Sequence, residues 1–213
     1  RCALRRAGSA PVPVQLAVFG DHQVSDALCA AAVAFECGAT GEQVAAALAA
    51  AGPASPSRMD VVTRADGVTI VNDAYNANPD SMRAALQALA WMARPGPDGD
   101  RRRSWAVLGE MAELGDDTIS EHDRIGRLAV RLDVSRLVVV GTGRALGAMH
   151  QGAVMEGSWG AEAARVDDAD AALALLRAEL RPGDVVLVKA SNSAGLATLA
   201  KALIEPANGA PLR

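Results

Sequence analysis

From Val14 to Val18 a short apolar tract reads as a strand ending at Gly20, and beyond it the period of the apolar positions changes. Val24, Leu28, Ala31, Ala32 and Phe35 recur at helical spacing between His22 and about Cys37, and a second helix is expected from Gly41 to Ala51 after the break Gly38-Ala39-Thr40. The run Gly52-Pro53-Ala54-Ser55-Pro56-Ser57 has the composition of a linker, and a domain boundary is placed there, between residues 1–56 and 57–213. After it, short Val/Leu runs alternate with helical stretches. Strands are expected at Met59–Thr63, Val68–Asn72, Trp105–Leu108, Leu137–Val140, up to Val166, and at Val185–Val188. Helices are expected at Pro79–Ala93, Ser120–Leu132, Arg144–Glu156, Asp168–Leu180 and on to Ile204. That alternation implies βαβ crossovers and an α/β domain with a doubly wound, mainly parallel sheet covered on both faces.

Composition narrows the function classes. With 213 residues, 50% of them hydrophobic and 22% charged, the chain can bury a core and is not a disordered tail. Its apolar runs are too short to span a bilayer. Twenty-five acidic residues against 21 basic ones give a net charge of −4, which disfavours nucleic acid and anionic lipid as partners. Cys2, Cys29 and Cys37 have neither CxxC spacing nor a nearby His pair. They suggest no disulfide framework and no zinc site, fit a reducing cytoplasmic setting, and at positions 29 and 37 read as small core residues. The chain starts at Arg1 with no targeting signal, and the missing Met suggests a cut piece. Only two lysines, Lys189 and Lys201, and one tyrosine, Tyr75, are present, so a Lys or Tyr inside a polar motif attracts notice.

Ligands of such sheets gather at the carboxyl ends of the strands, and four polar segments follow strands here. Asn72-Asp-Ala-Tyr-Asn-Ala-Asn-Pro-Asp-Ser-Met82 holds more donors and acceptors than a strand-to-helix turn needs. Asn78 as N-cap and Pro79 at the first helical position explain its second half, whereas Asp73, suited to a ribose hydroxyl or a cation, Tyr75, suited to stacking or a phosphate, and Asn76 point to a ligand. Lys189-Ala-Ser-Asn-Ser-Ala-Gly195 places a lysine and hydroxyls where a helix is expected to begin, a setting for carboxylate or phosphate, although Ser191 or Asn192 could simply cap that helix. In Gly109-Glu-Met-Ala-Glu-Leu-Gly115 two carboxylates three apart would share a face if helical; a glycine-flanked turn is the plainer alternative, and His122 reads as structural or surface. Gly141-Thr-Gly-Arg-Ala-Leu-Gly147, with Asp167 and Asp168 about twenty residues on, imitates a dinucleotide fingerprint and makes a nicotinamide-dependent oxidoreductase the rival from another class. The Pro95–Arg103 segment reads as a solvated loop. No Gly-x-x-x-x-Gly-Lys-Ser/Thr, no GxSxG elbow and no HExxH helix occurs.

Taken together these segments resemble the Mur ligases. Gly20-Asp-His-Gln-Val-Ser-Asp-Ala-Leu28 looks like the family's G-x-H-x-x-x-N-A-L, Asn72–Met82 like its NDxYNANPDSM segment, and Leu108–Gly115 and Val186–Ser191 like two further stretches, so the resemblance runs along essentially the whole chain. It implies a Rossmann-like domain over 57–213, preceded in 1–56 by a helical remnant of a central ATP-binding domain whose P-loop and magnesium ligands lie elsewhere. The implied activity is an ATP-dependent amide ligase that joins D-alanyl-D-alanine to UDP-N-acetylmuramoyl-tripeptide through an acyl phosphate during peptidoglycan precursor synthesis, with ATP and Mg2+ required, in a cytoplasmic monomer. By the same resemblance His22 and Asp26 lie on the adenine side, Arg58 reaches the phosphates, and Asp73 and Tyr75 hold the nucleotide. Asn76, Asn78, Lys189 and Ser191 become candidates for the dipeptide and the closing acyl phosphate. Two positions depart from the family pattern. Asp26 stands where Asn is expected and loses an amide donor, and Asn192 stands where Arg is expected and cannot form an ion pair with a carboxylate. A folylpolyglutamate synthase type of ligase is the nearest alternative inside the family, and this chain alone is expected to be inactive.

Overall fold

A computed structural model of the chain describes residues 2–18, 21–52, 56–95, 102–157, 160 and 162–205, with backbone only for Cys2, Asp21 and His22. Two compact units divide it, Arg1–Pro56 and Ser57–Arg213. Residues 53–55 of the Gly/Pro/Ser segment and 96–101 of the expected solvated loop lie outside the described residues.

The first unit begins with β1 (Cys2–Leu4) paired antiparallel to β2 (Val12–Val14), followed by α1 (Asp21–Glu36) and α2 (Gly41–Ala50). The strand expected over Val14–Val18 ends where it was to begin, because β1 offers partners only as far as Val14, opposite Cys2. Thr40 and Gln43 form a reciprocal capping box that starts α2. Leu4, Val14, Ala31, Val44 and Ala45 make the core of this unit. Cys29 and Cys37 do not join it; both thiols are exposed. Ala31 turns inward, and a residue two positions earlier on a helix lies about 200° round the axis, while Cys37 falls just past the end of α1. Val24 and Leu28, counted in the apolar stripe, also face outward.

The second unit is a six-stranded sheet in the order β3 (Asp60–Thr63), β4 (Thr69–Asn72), β8 (Val185–Lys189), β5 (Ser104–Leu108), β6 (Arg136–Val140), β7 (Ala163–Val166). The pair β3–β4 is antiparallel and every other pairing is parallel. Side chains alternate between two cores, as the pleat requires. Val71, Ala106, Leu108, Val139 and Leu187 pack with α3 (Pro79–Met92), α4 (Thr118–Arg131) and α5 (Arg144–Glu156). Ile70, Trp105, Val107, Val138, Val186 and Val188 pack on the opposite face with α6 (Ala169–Glu179) and α7 (Leu196–Ile204). The α/β doubly wound reading therefore stands.

The amino ends of the strands are locked by polar contacts. The buried Asp184 carboxylate accepts from Arg103 Nε at 2.9 Å and Nη2 at 2.6 Å, from Trp105 Nε1 at 3.0 Å and from the Arg181 N–H at 2.9 Å. On the α3–α5 face, α4 and α5 meet backbone to backbone. A methyl placed on Gly126 would lie 1.8 Å from the Met149 carbonyl oxygen, and one on Gly152 would lie 2.4 Å from that of Asp123. No side-chain rotation relieves either clash, so the two helices must separate to admit any side chain. Gly126→Ala is accordingly expected to cost on the order of 1–3 kcal/mol, read as a lower denaturant midpoint, whereas alanine at the exposed, unobstructed Gly143 leaves it nearly unchanged.

Candidate functional site

The strand order itself creates a crevice. Strands β4 and β5 are each followed by helices on one face, while β8, lying between them, runs on to α7 on the other, so the loops after β4, β8 and β5 part from one another at the carboxyl edge. They leave in register: the Asp73 N–H donates to the Val188 carbonyl and the Gly109 N–H to the Lys189 carbonyl, each at 2.9 Å.

Lys189, the last residue of β8, is only 2% exposed. Its ammonium donates to Asp73 Oδ2 at 2.6 Å and to the Asn76 carbonyl at 2.8 Å. The other Asp73 oxygen, Oδ1, accepts the Met59 N–H at 3.0 Å. Met59 and Ser57 both sit in the left-handed region, at φ 47° and 58°, a conformation that costs non-glycine residues of order 1 kcal/mol each and needs outside support. The support comes from the loop after β4: Asp73 holds Met59, the Tyr75 N–H donates to the Ser57 carbonyl at 3.1 Å, and Asn72 Nδ2 donates to Ser57 Oγ at 3.2 Å. Between the two strained residues, Arg58 places its guanidinium 4.2 Å from the centre of the Tyr75 ring. Tyr75 is 47% exposed, so an aromatic face and a permanent cation stand together at the crevice.

Asn78 is the N-cap of α3, its side-chain oxygen accepting the Ser81 N–H at 2.8 Å while its own N–H donates to Ser81 Oγ at 3.1 Å. Asn76 bends back so that its Oδ1 accepts the Ala77 N–H at 2.8 Å. Ser191 stands at the N-cap position of a single 3-10 turn, Asn192–Ala194, but its hydroxyl makes no capping bond. Its Oγ accepts the Ala112 N–H at 2.9 Å and its N–H donates to the Glu110 carbonyl at 2.9 Å, tying the β8 loop to the β5 loop. The helix expected at this point opens as that short turn, and α7 starts after it, following Gly195 in the left-handed conformation at φ 70°. Glu110 and Glu113 do not share a helical face either; Glu113 has φ 65°, the glycine-flanked segment is a turn, and both acids are exposed.

The glycine motif after β6 has a structural explanation. Arg165 Nε donates to the Gly141 carbonyl at 2.9 Å and Nη2 to that of Gly143 at 3.2 Å, and Gly147 leaves room for that guanidinium. Asp168, the acid that would have met a ribose, caps α6 through the Ala171 N–H at 2.8 Å. Asp26 is an exposed residue of α1 in the first unit; the His22 side chain is outside the described residues. Sequence reasoning missed the supporting roles of Ser57 and Met59, for nothing in an ordinary Ser or Met announces a positive φ.

A family model for the "Mur ligase, glutamate ligase domain" matches residues 57–192. The chain belongs to the Mur ligase family. It is 68% identical over 205 residues to the UDP-N-acetylmuramoyl-tripeptide--D-alanyl-D-alanine ligase of Mycobacterium leprae, an alignment covering 93% of this chain and 39% of that relative. Among solved structures it is similar to MurF from Acinetobacter baumannii, with a TM-score of 0.76 and 27% identity over 93% of this chain and 41% of that one. It shares its fold with the MurF ligase from Thermotoga maritima, solved in complex with ADP, with a TM-score of 0.73 and 21% identity over 96% and 45% of the two chains. The chain thus spans about two fifths of the length of the curated relatives it matches.

In this Mur ligase domain the β5 loop hangs on His122. The Met111 N–H donates to His122 Nε2 at 3.0 Å, so the proton is on Nδ1, which donates to the Thr118 carbonyl at 2.7 Å. The ring is wholly buried, and burial pushes its pKa below the ordinary 6.5, with the Thr118 contact, Glu110 and Glu121 opposing. The sign follows from linkage. With the native pKa depressed, the unfolded chain takes up the proton first on acidification, so stability present above about pH 6.5 is lost below it. The melting temperature is expected to fall more steeply from pH 7 to pH 5 in the wild type than in His122→Gln; parallel pH profiles would remove His122 from this role.

Proposed function

We propose that residues 57–213 are the C-terminal domain, and residues 1–56 the end of the central ATP-binding domain, of an ATP-dependent amide ligase. Its reaction joins D-alanyl-D-alanine to UDP-N-acetylmuramoyl-tripeptide in peptidoglycan precursor synthesis. The observation that carries this reading is the 68% identity, over 93% of the chain, to a relative named for that reaction. The site is consistent with it: an exposed aromatic ring, an arginine stacked on it and a carboxylate converge at the switch point of the sheet.

In this reading ATP transfers its terminal phosphoryl group to the peptide carboxylate, converting an oxygen that leaves poorly into phosphate. The dipeptide amine then attacks the acyl carbon, and the tetrahedral intermediate expels phosphate to leave the amide. Tyr75 and Asp73 hold the nucleotide, and Arg58, always charged and able to donate to two oxygens at once, meets its phosphates. His22 and Asp26 belong to the adenine side. Asn76, Asn78 and Ser191 are the candidates for the wall facing the dipeptide and the acyl phosphate, with Lys189 behind them, its ammonium bonded to Asp73 and to the Asn76 carbonyl. In this reading the ligands of the Mg2+ that accompanies ATP belong to other parts of the ligase. None of the described helices is long and apolar enough to cross a membrane.

The full-length ligase carrying these residues is expected to release one phosphate for each D-alanyl-D-alanine amide formed, and to form none with glutamate as acceptor. Residues 1–213 alone, which contain no Gly-x-x-x-x-Gly-Lys-Ser/Thr, are expected to hydrolyse no ATP. Arg58→Ala in the full-length protein is expected to lower kcat/KM by about tenfold or more, or about 1.4 kcal/mol. Preference for glutamate, or full activity in Arg58→Ala, would overturn the assignment.

A further inference from the structure

Lys189 has the chemistry of an anion-binding residue and the position of one, yet its ammonium is committed elsewhere. Two of its three donors go to Asp73 Oδ2 and the Asn76 carbonyl, at 2.6 Å and 2.8 Å, and 2% exposure leaves it little access to anything arriving from solvent. Those two acceptors flank Tyr75 in the chain. One cation therefore holds both ends of the three-residue step that presents the tyrosine ring.

The Asp73 carboxylate extends that hold. Its two oxygens serve different parts of the domain, Oδ2 taking the β8 lysine and Oδ1 the Met59 N–H at the start of β3. Met59 and Ser57 are both in left-handed backbone, and the contacts that oppose their return to ordinary φ come from Asp73, Asn72 and Tyr75. Their conformation carries Arg58 over the Tyr75 ring. Loss of the ammonium would free the carboxylate to rotate, and with it the Met59 anchor, the Asn76 end of the loop and the Arg58–Tyr75 stack.

We infer that Lys189 is a positioning residue that acts through Asp73: it sets the Arg58–Tyr75 pair for the nucleotide, and it does not itself touch the dipeptide. This rests on the ligase reading above and deepens it. A compact ammonium suits the task, because it can turn its donors to a carboxylate and a carbonyl at once, whereas a planar guanidinium presents a fixed fork.

The chain has one tyrosine, so replacing it with 3-fluorotyrosine gives a single fluorine resonance that reports Tyr75, in residues 1–213 and without any turnover. Arg58→Gln supplies the position of that resonance with no cation over the ring. Lys189→Met is expected to move the resonance towards that position and broaden it. Should Lys189→Met fail to fold, the neutral pair Asp73→Asn/Lys189→Met, which buries no unpaired charge, is expected to fold and to show the same displacement. A resonance unmoved in the folded variants would overturn the inference.

In the full-length ligase, Lys189→Met and Asp73→Asn are each expected to raise KM for ATP about tenfold, with the double variant no worse than either single one and KM for D-alanyl-D-alanine unchanged. Additive effects, or a rise confined to the dipeptide KM, would make Lys189 a direct substrate contact and refute the positioning role. Absence of ligation by the full-length wild type would refute the ligase reading alone, since the fluorine readout does not depend on it.

Discussion

An ammonium group removed from water must have its charge and its N–H donors met by protein, or it destabilises the fold by several kcal/mol. At Lys189 that requirement is met by one carboxylate and one carbonyl from the loop after β4, and the rest of the carboxyl edge is arranged around this link. Asp73, held by the lysine, holds Met59 in turn; Met59 and Ser57 hold Arg58; Arg58 lies on Tyr75. Removing Asp73 or Lys189 leaves the other's charge buried without its partner. Such a network is rigid where it is complete, and rigidity is what a site needs if it is to meet a nucleotide without reorganising.

The two ends of the sheet divide stability from chemistry. At the amino end, Asp184 satisfies its carboxylate entirely within the protein, through Arg103, Trp105 and the Arg181 backbone, and nothing is offered to a ligand. On the face between α4 and α5 the glycines permit a backbone contact that leaves no space to adjust. At the carboxyl end, by contrast, an aromatic ring and a guanidinium are left half in solvent, and the loop after β5 is suspended from a neutral histidine and a serine hydroxyl. Membership of the Mur ligase family accords with that polarity, since in open α/β sheets ligands meet the carboxyl edge.

The strands and helices of the second unit were legible because β4, β5, β6 and β8 are buried on both faces and so read as short continuous apolar runs, while α3 to α6 repeat their buried positions near every 3.6 residues. Where that condition lapses, so does legibility. Cys29 and Leu28 look like core residues beside Ala31, yet α1 buries a different stripe, and the strand written over Val14–Val18 lacks a partner beyond Val14. The late start of α7 shows the same limit, because Ser191 resembles a cap until its hydroxyl is seen to be taken by Ala112. The glycine motif Gly141–Gly147 carries the right letters for a dinucleotide turn, but its carbonyls and its space belong to Arg165.

By itself the sequence determined the alternation of elements, the family and the short list of polar residues that lie beyond the strand ends, because these depend on periodicity and local motifs that neighbours in the chain impose on one another. It singled out Asp73, Tyr75 and Lys189 through the rarity of Tyr and Lys and their company. Which of them pair was decided only by the strand order, which brings residue 189 beside residue 73 across the β4–β8 boundary. The left-handed backbone at Ser57 and Met59 was likewise a tertiary decision: no local preference favours it, and contacts made from Asn72 to Tyr75 sustain it.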